Sequence, residues 1–332
     1  MTTTNRTQAA ANPKRAASPP PHQRRPNRTA LATLVIAIAI AIVLVVVVGA
    51  MWLLLGRFAH RSENPVIPPD HCLALASEYR GSMLPEQSAN AAIVVGESIR
   101  RGLPARAATI ALVTVWQESS VLNLNYGDRD SLGLFQQRPS QGWGTPDQIM
   151  DPWYASGKFY DALVKVKDWQ TRPVGEVAQA VQRSAYPDAY DQYEANGRAW
   201  ASALTGQTVA GLRCVVNDGT GGGGDELVAL LNQIWGNKLT ISQTGQVVQV
   251  TTPNQTAAWA VAQISMAQLA SYGMTSVQVG DQIWQPQKTN VGTWQQIDSS
   301  PTPSVTLSPG ETPTPPPPPA AVSNRQVVIT LR

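Results

Sequence analysis

One carboxylate stands where burial should make it costly. Glu118 follows a stretch, Ala107 to Val115, that is apolar on every face of a helix opened by Pro104, and it lies between Trp116 and Ser119-Ser120. Carboxylates are almost never fully buried without a partner or a purpose. Loss of water and the negative end of the helix dipole should both raise its pKa. A glutamate that keeps its proton near neutral pH suits the acid of glycosidic cleavage. Taken alone, the position better fits a glutamate that turns to solvent as its helix ends. Other polar groups follow: Gly133-Leu134-Phe135-Gln136, then Ala180-Val181-Gln182 in another buried-helix pattern, with Tyr186 and Tyr190 soon after. Asp128 and Asp130, in a Gly-Asp-Arg-Asp turn, are the candidates for a second carboxylate, and as turn acids they also suit pairing with Arg129. Trp143, in Gly-Trp-Gly, is placed either to stack on a sugar ring or to fold onto the core.

Composition narrows the chemistry. The three histidines, His22, His60 and His71, all precede this region, and the chain has two cysteines. A zinc site or a Ser-His-acid triad is therefore not expected, and no metal or cofactor is called for. Of the 25 Lys and Arg, six fall in residues 1–30, which hold no acid; the remaining 19 face 22 Asp and Glu. The basic surplus sits in a tail, so a nucleic-acid partner is not expected.

The elements that must position these groups follow from pattern. Residues 1–30 read as a disordered basic tail. Residues 31–55 are a run of 25 without a charge, long enough as a helix to cross a bilayer. More basic residues precede the run than follow it, which predicts a single-pass protein of the cell membrane with a cytoplasmic N-terminus and its C-terminal domains outside. Residues 56–71 read as a linker. From Cys72 to Cys214 the pattern is helical almost throughout. Thr145-Pro146-Asp147-Gln148 is a capping box, Asp151-Pro152 repeats a cap-then-proline start, and Gly197, Trp200 and Leu204 share a side of a later helix. Residues 215–225 form a Gly-rich linker, and 226–298 a small α/β module with a hairpin at Thr244-Gly245 and an Ala-rich helix over Gln255–Tyr272. Trp259, Trp284 and Trp294 should build that module's core. Residues 299–332 are a Pro/Thr-rich tail, with Gln326–Leu331 strand-like at its end. The expected fold class is mainly α: a helical domain after one transmembrane helix, with a small C-terminal α/β module.

Outside a membrane Cys72 and Cys214 are free to oxidise. They bracket the strongest motifs. A bridge closing so long a loop contributes at most about 5 kcal/mol by chain entropy. The alternative, two unrelated thiols, is one that exported proteins tend to avoid.

In order and separation, Glu118-Ser119 and Gly133–Gln136 resemble the lysozyme-like lytic transglycosylases of the soluble type. That family pairs a helix-terminal Glu-Ser, a Gly-Leu-x-Gln turn and a later Ala-Tyr-Asn-like motif. Arg129-Asp130-Ser131 and Gln137-Arg138-Pro139 resemble a membrane-anchored variant common in exported actinobacterial proteins. The resemblance covers roughly residues 75–205 and implies a lysozyme-like domain over 72–214. It implies cleavage of the bond between N-acetylmuramic acid and N-acetylglucosamine in peptidoglycan, with Glu118 acting as acid and then as base. Ser119, Gln136, Gln182, Tyr186, Tyr190 and Trp143 are the implied substrate-binding residues. The chain departs from the pattern in carrying Val181 where Tyr is usual and Gln182 where Asn is. That departure keeps open the alternative of an inactive peptidoglycan-binding or scaffold protein of the same fold. The implied partners are glycan strands, with the bilayer reached through residues 31–55. The C-terminal module resembles a unit on other exported wall proteins, which suggests cell-wall protein partners.

Overall fold

The computed structural model describes residues 39–49, 51, 69–183, 189–217, 223–287, 290–297 and 320–332. The chain divides into two compact units, Met1–Asn64 and Pro65–Arg332. In the first, the continuous described helix covers residues 39–49. No helix among the described residues is long and apolar enough to cross a membrane. The transmembrane helix expected over 31–55 is corrected on this finding, and with it the single-pass membrane placement, its topology and the bilayer contact. The tail over 1–30 and most of the 56–71 linker lie outside the described residues, as do Tyr186, the residues 218–222 and the segment 298–319.

The second unit opens with a hairpin where helix was expected. Strand β1, His71–Ala76, has Cys72, Ala74 and Ala76 buried in strict alternation, the period of a strand. It pairs antiparallel with β2, Tyr79–Met83, on one edge and with β3, Leu212–Val215, on the other. Cys72 lies directly opposite Cys214 in that second pairing, and the two form a disulfide. The stretch between the cysteines is thus framed by sheet. Its helices are α1 (Pro85–Arg100), α2 (Ala105–Ser119), α3 (Pro146–Met150), α4 (Pro152–Leu163), α5 (Val174–Gln182) and α6 (Glu194–Leu204).

Local sequence accounts for their ends. Pro104 is the N-cap of α2, and residues Ala107 to Val115 are all buried. Thr145 Oγ1 accepts from the Gln148 N–H at 3.3 Å while Gln148 Oε1 accepts from the Thr145 N–H at 3.0 Å, a reciprocal capping box at α3. Asp151 Oδ1 accepts from the Trp153 N–H at 2.9 Å and starts α4 behind Pro152. Helix α6 packs closely on α2: a Cβ on Gly197 would come within 2.5 Å of a Val113 methyl.

Beyond α7 (Gly224–Trp235), a second sheet contains β4 (Thr240–Thr244), β5 (Val247–Thr251), β6 (Met274–Val279), β7 (Gln282–Trp284), β8 (Gln295–Gln296) and β9 (Gln326–Leu331). Its order is β4-β5-β9-β6-β7-β8, antiparallel throughout. Gly245, at φ 57°, turns the expected hairpin. Strand β9, near the end of the chain, is a central strand; Val327, Ile329 and Leu331 alternate into the core. Helices α8 (Gln255–Ala267) and α9 (Leu269–Tyr272) divide the Ala-rich stretch. Helix α8 contacts this sheet and also α6 and α1. The fold class is corrected accordingly: helices are combined with two antiparallel sheets, of three and six strands among the described residues. The chain is not mainly α behind a membrane helix. The sequence reading undercounted strands because short runs such as Leu73-Ala74-Leu75 carry too little periodicity to separate strand from buried helix.

Candidate active site

Glu118 lies one residue from the end of α2, partly buried. Its Oε1 accepts a 2.6 Å hydrogen bond from the hydroxyl of Tyr190, whose ring is completely buried. Burial pushes the Glu118 carboxyl above its ordinary pKa; Tyr190, and secondarily Gln182, favour the charged form and oppose that rise. The carboxyl is therefore desolvated yet held by donors, which suits a group that must lose and regain a proton.

Ser119 faces the other way. Its hydroxyl, buried, donates to the carbonyls of Leu134 at 2.7 Å and Val115 at 3.1 Å. Gln182, the last residue of α5, donates from Nε2 to the Phe135 carbonyl at 2.7 Å. These two bonds fasten consecutive carbonyls of the Gly133-Leu134-Phe135-Gln136 turn to the ends of α2 and α5. The turn itself needs Gly133 at φ 76°, and a Cβ there would meet the Ile149 carbonyl at 2.7 Å.

Immediately after α2 the backbone is strained. Ser120 and Val121 adopt φ 53° and 61°, a conformation that a β-branched residue rarely takes. Their carbonyls are held by α1: Gln87 Nε2 donates to Ser120 O at 2.8 Å and Asn90 Nδ2 to Val121 O at 2.9 Å. Strain of this kind persists where the surroundings enforce it, and functional sites are where it gathers. Here it ends α2 just beyond Glu118, with the Ser120 and Val121 N–H groups donating back to the Trp116 and Val115 carbonyls.

Of the second-carboxylate candidates, one is held by partners of its own loop and the other lies in solvent. Asp130 accepts from the Ser140 N–H at 2.8 Å and from Arg138 Nε at 2.7 Å, and these contacts hold its carboxyl well below the usual range. Asp128 has 90% of its side chain exposed, with Arg129 3.9 Å away.

The structure thus brings Glu118, Ser119, Gln182 and Tyr190 together. Gln136 belongs to the same turn, but its amide donates back to the carbonyls of Tyr126 and Gly133, each at 3.2 Å, and so braces its own loop. Trp143 lines a cleft of about 430 Å³ that Gln182 also lines, and neither Glu118 nor Gln136 is among that cleft's wall residues. The sequence reading placed Tyr190 among the substrate-binding residues and missed its bond to Glu118. Nothing in the spacing of two residues 72 apart signals that bond. Gln87 and Asn90 were missed for the same reason. Of the module's tryptophans, Trp259 and Trp284 are core, while Trp294 stacks edge-on against Trp259 at 4.8 Å and donates to the Leu212 carbonyl at 2.9 Å.

Neither the family models nor the curated proteins contain a match to this chain.

Proposed function

We propose that this protein cleaves peptidoglycan glycan strands as a lytic transglycosylase, with Glu118 as its one catalytic carboxyl. The observation that carries the reading is the hydrogen-bonded pair of Glu118 and Tyr190, seated beside the clamped Gly-Leu-Phe-Gln turn. Protonated Glu118 gives its proton to the oxygen between N-acetylmuramic acid and N-acetylglucosamine as the bond from that oxygen to the muramyl C1 breaks. The resulting carboxylate is stabilised by Tyr190 and Gln182. It then takes the proton of the muramyl C6 hydroxyl while that oxygen closes onto C1. The proton returns to Glu118, no water is consumed, and the products are an anhydromuramyl end and a free N-acetylglucosamine end. Asp130 is ion-paired and Asp128 is solvated, so among the turn acids neither is poised to activate a water, which favours ring closure over hydrolysis. The disulfide fits an oxidising compartment, where a wall polymer would be met.

The resemblance of Glu118-Ser119 and Gly133–Gln136 to the lytic transglycosylases supports the same assignment. A second reading, a protein that binds strands without cutting them, is favoured by one feature. Val181, where the family pattern has Tyr, is buried, so an aromatic ring is missing from that position.

Digestion of purified sacculi with the full chain and with its Glu118→Gln variant separates the two. The enzyme reading expects soluble muropeptides from the parent and a loss of about 10²–10⁴-fold in the variant, the usual contribution of a general acid-base. Equal and negligible release from both overturns it in favour of binding.

A further inference from the structure

The cleft lined by Trp143 and Gln182 has a charge that a neutral sugar chain does not require. Lys158 of α4, Lys165 just beyond that helix and Arg183 just beyond α5 all face it. None of the three takes part in an ion pair among the described residues. Lys158 has its ammonium 5.9 Å from the ring centre of Tyr154. The cleft's acid, Asp161, is already paired with Arg101 at 2.8 Å, which leaves the three cations uncompensated. This stands against the trend of the chain, which beyond residue 30 has more acids than bases. Gln182 joins the cleft to the candidate active site, since it lines the one and acts on the Glu118 carboxyl in the other.

Resting on the reading of the site as a peptidoglycan site, we infer that this cleft receives the carboxylates of the stem peptide carried by the muramyl residue, so that strands bearing peptides are the preferred ligand. Where the peptide is attached, the lactyl carboxyl of the muramyl residue is tied up in an amide and the glycan backbone is uncharged, whereas the peptide branch carries several free carboxylates, and the cations meet that chemistry. Trp143 supplies an apolar wall in the same cleft for the peptide's aliphatic side chains.

The test uses the full chain carrying Glu118→Gln, so that ligand is not consumed. Titration calorimetry measures its affinity for a disaccharide–tetrapeptide and for the same disaccharide with its lactyl carboxyl capped as the methyl amide in place of the peptide. The expected result is binding roughly tenfold tighter with the peptide than without, a factor that three partly exposed ion pairs supply together. The preference should shrink as salt rises, because exposed pairs are screened. It should fall to about twofold or less when Lys158→Gln, Lys165→Gln and Arg183→Gln are combined. Circular dichroism checks that the combined variant is folded, and the three single variants, each expected to lose part of the preference, serve if it is not. A preference that survives the substitutions, or none in the parent, overturns the inference while leaving the glycan reading intact. Failure to bind either ligand, together with no release from sacculi by the unsubstituted chain, overturns both.

Discussion

Glu118 and Tyr190 set the behaviour expected at the residue scale. The tyrosine hydroxyl donates to the carboxylate and so favours the charged form; removing it raises an already raised pKa. Tyr190→Phe should therefore move the alkaline fall of kcat/KM to higher pH and lower kcat, because the carboxylate formed between the two steps loses a donor. An unchanged profile would mean that the bond does not act on the reacting group. The same burial bears on stability. Between the ordinary pKa of an unfolded glutamate and the raised folded value, the folded protein binds more protons, so this group's contribution to stability is lost as pH rises through that window. Glu118→Gln removes the ionisable group, and thermal unfolding followed across pH should show the variant more stable than the parent at neutral pH, with the difference vanishing in acid. How far Glu118 was legible is instructive. An all-apolar helix ending in a carboxylate is visible in sequence, and the structure places that residue partly buried. Its hydrogen-bond partner was not legible, since Tyr190 reaches it only through the packing of α6 against α2.

At the scale of elements, the turn after α2 depends on two amides from α1. Asn90→Ala leaves the Val121 carbonyl without its donor in a buried place, a change expected to cost about 1–3 kcal/mol in urea denaturation. A loss well below that would show that water or a shifted backbone replaces the amide. The cross-strand disulfide joins β1 to β3 over a separation of 142 residues. The Cys72→Ala, Cys214→Ala pair should lower stability by about 2–5 kcal/mol, read from the shift in denaturation midpoint. Helix caps were the most legible elements, because Thr145-Pro146-Asp147-Gln148 and Asp151-Pro152 name their own hydrogen bonds. Strands were the least. The alternation in β1 is only six residues long, and β2 contains a glycine and an arginine that hide it.

For the Pro65–Arg332 unit as a whole, the sequence suggested two modules joined by a glycine linker, and the packing makes them continuous. Gln263 of α8 donates to the carbonyls of Ala203 and Thr208, Ser88 of α1 to that of Ala267, and Gln268 to that of Ala89. Gly206, at φ 74°, is where the chain leaving α6 touches α8; a Cβ there would lie 2.0 Å from the Thr256 carbonyl. Gly206→Ala must both strain that backbone and part the two regions, so a loss of about 2 kcal/mol or more is expected from thermal unfolding. No local pattern announced this contact. The same holds for β9, whose Val-x-Ile-x-Leu alternation was readable as a strand while its place between β5 and β6 was not, since pairing partners lie far away in sequence.

The most direct test of the proposed chemistry is to let the full chain digest sacculi in water enriched in heavy oxygen and to weigh the released muropeptides. Intramolecular closure by Glu118 predicts anhydromuramyl ends that carry no label, and their absence when Glu118→Gln is used instead. Reducing muramyl ends carrying the heavy oxygen, or the same products from the variant, would contradict it.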